Sequence, residues 1–246
     1  MPARRRRRPL LACADLGNSR IHLALFEGAR VLRARALDYA DLRHSGAREI
    51  LRRPDLEAVC YSSVVPSKER EFERRLRPSV VLKLGRDLPV PVRVRAGASW
   101  SPGTDRLCNA LAAFRRFGGA CICVDIGTAV NIEVVSNRGE LVAGIIAPGP
   151  ALMLQALRRC ESLPEVRSVT LLLGRSTQGN MAGGVGLAVA GLVREAVGRA
   201  RSLVGRRAPV IATGGGAPLL RGAGYVDRFD PLLTLRGIAL AYRHRR

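Results

Sequence analysis

Two stretches of this chain repeat one another. Leu10 to Ser19 and Cys121 to Ala129 each run as an apolar strand, an aspartate, an apolar residue, a glycine and a small polar turn, and a second apolar strand follows each. Asp15-Leu16-Gly17-Asn18-Ser19 thus corresponds in kind and position to Asp125-Ile126-Gly127-Thr128-Ala129. Apolar runs broken by such a turn predict hairpins. Their recurrence predicts an α/β fold of two similar halves, each beginning with a hairpin. A chain of 246 residues is long enough to build two such cores. The expected division is a disordered basic tail over 1–9, an N-terminal domain over 10–118 and a C-terminal domain over 119–246.

Around the hairpins, the pattern predicts a helix over 37–53, a strand over 58–64, a helix over 68–76 and a strand over 80–84. Pro102-Gly103-Thr104-Asp105 opens an amphipathic helix with Leu107, Ala110, Leu111, Phe114 and Phe117 on one face, closed by Gly118-Gly119. In the second half, strands are expected over 121–126, 130–135 and 141–146, then a helix from Pro148-Gly149-Pro150 through Arg159. A long small-residue helix over 181–203 follows, with Val185, Ala188, Leu192 and Ala196 on its packed side. A strand over 210–212 runs into Thr213-Gly214-Gly215-Gly216, and Asp230-Pro231 starts a closing helix to about Tyr242.

The formal charge is +21, which raises the question of nucleic acid. The basic residues are nearly all arginine, Lys68 and Lys83 being the only lysines, and they are scattered along helices without interleaved aromatics. No helix-turn-helix, zinc finger or RNA-recognition signature is present. The expectation is a solvated basic surface that adheres to polyanions only non-specifically. The apolar run after Arg4 to Arg8 stops at Asp15, too early for a signal peptide, and no uninterrupted apolar stretch reaches the roughly 20 residues of a membrane span. A cytoplasmic protein without a membrane partner is expected. Six cysteines without C-x-x-C spacing and three dispersed histidines (His22, His44, His244) argue for buried free thiols rather than a disulfide scaffold or zinc site.

Several chemistries are missing from the sequence. It has no G-x-x-x-x-G-K-[ST] phosphate loop, no G-x-S-x-G elbow and no H-E-x-x-H helix. What remains is the pair of aspartate hairpins and the glycine loop Thr213 to Gly216. Small turn residues let backbone N–H groups approach phosphate oxygens, and a carboxylate can hold the cation that neutralises them. The Asp15 hairpin alone is an ordinary turn, and Thr213 to Gly216 alone is an ordinary strand-to-helix connection. Together, in this order, they suggest two loops gripping ATP phosphates and a third near the adenosine.

Five segments carry a family resemblance: Asp15 to Ser19, Gly103-Thr104-Asp105-Arg106, Asp125 to Ala129, Gly144-Ile145-Ile146-Ala147-Pro148-Gly149 and Thr213-Gly214-Gly215. In order and approximate spacing they resemble type III pantothenate kinase from about residue 10 to the end. The resemblance implies two ribonuclease-H-like α/β domains of the acetate kinase/sugar kinase/Hsp70/actin type, with ATP in the cleft. It implies a homodimer that phosphorylates pantothenate to 4′-phosphopantothenate, the first step of coenzyme A biosynthesis. Asp15, Leu16, Gly17, Asn18, Ser19, Arg20, Ile21 and His22 match the ATP-phosphate hairpin, and Thr128 matches a further ATP contact. Gly103, Thr104, Asp105 and Arg106 match the pantothenate segment, with Asp105 as general base, and Thr177 matches a substrate contact. Asp125 matches the ligand of a monovalent cation, K⁺ or NH₄⁺, while Mg²⁺ or a similar divalent ion accompanies ATP. The chain departs from the family at Val130, Asn131 and Glu133, where threonines and a second aspartate are usual, and at Ala96, where an aromatic residue is usual. Two alternatives stay open at this level: a non-catalytic regulatory relative that binds nucleic acid, and a kinase for another small hydroxylated acceptor.

Overall fold

The computed structural model describes residues 9–43, 45–76, 80–95 and 100–245. The Arg4 to Arg8 tail, His44 and Ala96 lie outside them. The chain divides into two compact units: Met1–Pro91 with Pro102–Cys108 and Thr234–Arg246, and Val92–Ser101 with Asn109–Leu233. By contacts, Thr234–Arg246 groups with the first unit, and Val92–Ser101 and the part of the chain from Asn109 on group with the second.

The first unit holds a five-stranded sheet built from β1 (Leu10–Leu16), β2 (Ile21–Glu27), β3 (Arg30–Leu37), β4 (Leu56–Ser63) and β5 (Val81–Lys83), in the order β3-β2-β1-β4-β5. β1, β2 and β3 form an antiparallel meander, whereas β4 and β5 run parallel to β1 and β4 respectively. The helix expected over 37–53 is instead the end of β3, a 3-10 turn over Tyr39–Arg43 and the short helix α1 (Ser45–Leu51). β3 escapes sequence detection because it is an edge strand with no buried residue, so it lacks the apolar alternation that marks a half-buried strand. Gly28, at φ 55, makes the tight turn that joins it to β2. Helix α2 (Pro66–Glu73) carries proline in its first turn, where the missing N–H costs nothing. Leu42, Ile50, Leu51 and Phe72 cover one sheet face, packing against residues that include Leu10, Ala12, Leu16, Leu23, Val59 and Tyr61.

The second unit repeats this design. β6 (Cys121–Ile126), β7 (Ala129–Val135), β8 (Leu141–Pro148), β9 (Val210–Thr213) and β10 (Arg228–Phe229) assemble in the order β10-β9-β6-β7-β8. β6, β7 and β8 are antiparallel, β9 runs parallel to β6, and β10 runs parallel to β9. Reading β6 for β1 and β9 for β4 gives the same topology twice, so the repeated sequence signature reflects a repeated sheet.

Helix α3 (Thr104–Phe117) follows its expected span, and the unit division falls within it, after Cys108. Helix α4 (Pro150–Leu157) starts with proline, and α5 (Thr177–Val204) is capped by Ser176, whose Oγ accepts from the Gly179 N–H at 3.1 Å. By length and composition α5 could cross a membrane. Its Val189, Val193, Ala196, Val197 and Ala200 are nevertheless buried in the second unit's core with Ile122, Val124 and Ile132. Of the residues assigned to its packed side, Val185 and Ala196 are buried and Leu192 is half-buried, but Ala188 faces outward. The buried stripe therefore passes through Val189 and Val193, one position on. Helix α6 (Leu233–His244) closes the first unit. Its Gly237 is needed because a Cβ there would overlap the Cys108 carbonyl of α3.

Candidate active site

In the first unit the β1–β2 hairpin pairs Asp15 with His22 and Leu16 with Ile21. Leu16 and Ile21 are fully buried and anchor the hairpin, while Asn18, Ser19 and Arg20 stand exposed at its tip. The Gly17 N–H donates to the Arg20 carbonyl at 3.0 Å and closes the turn. Tyr39 Oη donates to the Gly17 carbonyl at 2.7 Å, with Lys68 Nζ 5.4 Å from its ring centroid. Burial, then the Asp15 carboxylate, pushes the Tyr39 hydroxyl up to about 12, so it stays a donor. Burial, then Arg20, lowers the pKa of His22 and keeps it neutral near pH 7.

The Gly103 to Arg106 motif opens α3 in the same unit. Thr104 Oγ1 lies 2.8 Å from Oγ of Ser62, a buried residue that pairs with Asp15 across β1 and β4. A Cβ at Gly85 would press on the Thr104 methyl at 3.0 Å. A Cβ at Gly103 would stand 2.5 Å from Asp105 Oδ1, so glycine leaves room for the carboxylate. Asp105 Oδ1 is buried and has no hydrogen-bond partner among the described residues. Burial raises the Asp105 pKa, opposed by the Arg106 N–H, the Arg106 charge and its own N–H. The helix start therefore fails to offset the desolvation, contrary to a simple N-terminal stabilisation. Asp15 and Asp105 both act on the buried Cys108 thiol, which burial pushes well above its usual pKa.

The second unit builds a parallel arrangement. Asp125 is the penultimate residue of β6, in register with Asn131 on one side and the buried Thr213 on the other. Asn109 Nδ2 donates to Asp125 Oδ2 at 3.1 Å. Gly214, at φ 85, lies so close that a Cβ would overlap Asp125 Oδ1, and the Gly216 N–H donates to the Ile126 carbonyl at 2.8 Å. The Gly149 N–H donates to the Thr128 carbonyl at 2.9 Å, and a Cβ at Gly149 would overlap the Gly127 carbonyl. Two glycine-bearing segments, Gly214 to Gly216 and Gly149, thus converge on the Asp125 to Thr128 turn. Glu133 is fully buried opposite Cys123. Burial first, then Glu133 and Asp125, raises the Cys123 pKa.

Asp125 offers hard oxygen chemistry in a cradle that any Cβ at Gly214 would fill, which fits an alkali cation or a divalent ion carried with phosphates. Among the described residues, no three His, Cys, Asp or Glu side chains come together to hold a metal ion. Thr177 is exposed in the first turn of α5, where Gly174 packs against the Gly179–Asn180 backbone. Sequence reasoning missed Ser62, Tyr39 and Asn109. A Ser-Ser pair ending a strand and an Asn one turn into a helix carry no signal of their own.

The chain matches the family described as type III pantothenate kinase over residues 11–199. A type III pantothenate kinase of Dehalococcoides mccartyi (strain CBDB1) is 33% identical over 250 residues, covering 95% of each chain. Among solved structures, a conserved putative Baf family transcriptional activator from Campylobacter jejuni aligns with a TM-score of 0.60 at 19% identity, over 95% of this chain and 98% of that one. A putative 2-dehydro-3-deoxygalactonokinase from Sinorhizobium meliloti aligns with a TM-score of 0.57 at 12% identity, over 95% and 96%. These structural likenesses establish the fold alone, that of the sugar kinase/actin class. With the sequence match spanning most of the chain, the protein belongs to the type III pantothenate kinase family.

Proposed function

We propose that this protein transfers the γ-phosphoryl group of ATP to the primary hydroxyl of pantothenate, with Asp105 as general base. The observation that carries the assignment is the buried Asp105 Oδ1, which has a raised pKa and no hydrogen-bond partner among the described residues. A base must have a free acceptor oxygen and a pKa moved toward the working pH. The substrate hydroxyl gives its proton to Asp105 as its oxygen forms the bond to the γ-phosphorus, and the bond from phosphorus to the ADP oxygen breaks.

Asp15 to His22 and Thr128 would line the ATP phosphates through turn N–H groups, with Asp15 and Asp125 facing cations rather than phosphate oxygens. Asp125 would hold K⁺ or NH₄⁺, and Mg²⁺ would enter with ATP. Gly103, Thr104, Arg106 and Thr177 would contact pantothenate. A homodimer is supported by Leu172 and Leu173, which are 73% and 86% exposed immediately before the Gly174 to Thr177 segment. All six cysteines are free thiols, which suits the reducing cytoplasm.

Mass-spectrometric detection of 4′-phosphopantothenate after incubation with Mg-ATP and K⁺ tests this assignment. Phosphorylation of a different hydroxylated acid in its place would identify another acceptor for the same base.

A further inference from the structure

A cavity of about 410 Å³ in the second unit is lined by Arg93, Arg95, Ser136, Asn137, Arg138 and Glu140. It lies at the β7–β8 turn. The phosphate-facing Gly127–Thr128 turn lies at the other end of β7, seven residues or roughly 20 Å away along the strand. Nothing in the proposed phosphoryl transfer uses it.

Its backbone is fixed on both sides. The Arg95 N–H donates to the Leu141 carbonyl and the Leu141 N–H to the Arg93 carbonyl, each at 2.9 Å. Val94 bridges to Leu141, so Arg93 and Arg95, two residues apart on extended chain, point to the same side. Across from them, Ser136 Oγ accepts from the N–H groups of Arg138 and Glu140, each at 3.2 Å. Gly139, at φ 75, completes that turn, and a Cβ there would come within 2.9 Å of the Phe114 ring. The turn carrying Arg138 is therefore pinned by α3.

Three guanidinium groups and one carboxylate line the cavity, a formal balance of 3 − 1 = +2. Glu140 Oε1 lies 3.6 Å from Arg93 Nη1, leaving the charges of Arg95 and Arg138 to be matched from outside. We infer that this cavity is a second anion site, built for the dianionic phosphate of a small phosphate monoester. The planar fork of arginine matches phosphate oxygens, and the volume is that of a small-ligand pocket. The backbone on both walls is held in place, so binding has only the side chains to order.

Calorimetric titration of the whole protein with inorganic phosphate, with a non-hydrolysable ATP analogue saturating the kinase site, tests this inference. The expected result is one saturable site that weakens roughly tenfold or more in the Arg95→Ala/Arg138→Ala double variant. Arg115→Ala/Arg116→Ala, which removes the same charge from exposed positions of the same unit, should leave binding intact. The KM for ATP should not change in either variant. Equal weakening in both variants would overturn the site in favour of diffuse arginine electrostatics, as would no weakening in either. An oligonucleotide that binds through Arg95 and Arg138 when phosphate does not would also overturn it.

Discussion

Thr104 Oγ1 and Ser62 Oγ lie 2.8 Å apart, tying the first residue of α3 to the strand that flanks Asp15. Ser62 is fully buried, so its hydroxyl has this hydrogen bond in place of water. Ser62→Ala leaves Thr104 to find another partner and should cost about 1 kcal/mol of stability. It should lower kcat more than it raises the KM for ATP, because it loosens the motif that carries the proposed base. Steady-state kinetics with a thermal melt measure both effects.

Asp105→Asn keeps the side-chain shape and removes the base. Turnover should fall by roughly 10²- to 10⁴-fold while ATP binding persists. The sign for stability is opposite. Burial raises the Asp105 pKa in the folded state, so its contribution to stability is present at low pH and is lost as pH rises through the raised value. Above that raised value the folded protein carries an unfavourable buried charge, and there the Asn variant should melt at or above the wild-type temperature. The same shift makes kcat/KM of the wild type fall as the medium is acidified through that pKa.

Gly149→Ala places a methyl group on the Gly127 and Thr128 carbonyls. Backbone cannot yield as a flexible side chain does, so a loss of about 1–3 kcal/mol is expected, with a raised KM for ATP. A chemical denaturation series and the ATP dependence of the rate check the two parts.

The exposed pair Leu172 and Leu173 should matter to association and little to the fold. In the proposed homodimer, Leu172→Ser/Leu173→Ser should lower the mass read by light scattering toward that of the monomer and leave the unfolding midpoint, measured at low concentration, nearly unchanged. A mass that the substitutions do not change would remove this pair as the proposed interface.

Much of this was legible in the residues. The paired hairpins at Asp15 and Asp125 announced a duplicated sheet because turn chemistry and apolar strands are local signals. The Gly144 to Gly149 segment was recognisable as a motif, yet its reason is tertiary: Gly149 must approach the carbonyls of a turn some twenty positions earlier. β3 was illegible because an exposed edge strand has no apolar periodicity. Ser62, Tyr39 and Asn109 were illegible because each acts through one hydrogen bond to a distant residue, and such a pairing leaves no pattern in a single sequence.

Pantothenate is the proposed acceptor of the phosphoryl group. ADP release from purified protein with Mg-ATP and K⁺, measured with and without pantothenate, tests it most directly. ADP release that depends on pantothenate and disappears in Asp105→Asn is the predicted result. Intact ATP binding with no pantothenate-dependent release would mean that pantothenate is not the acceptor.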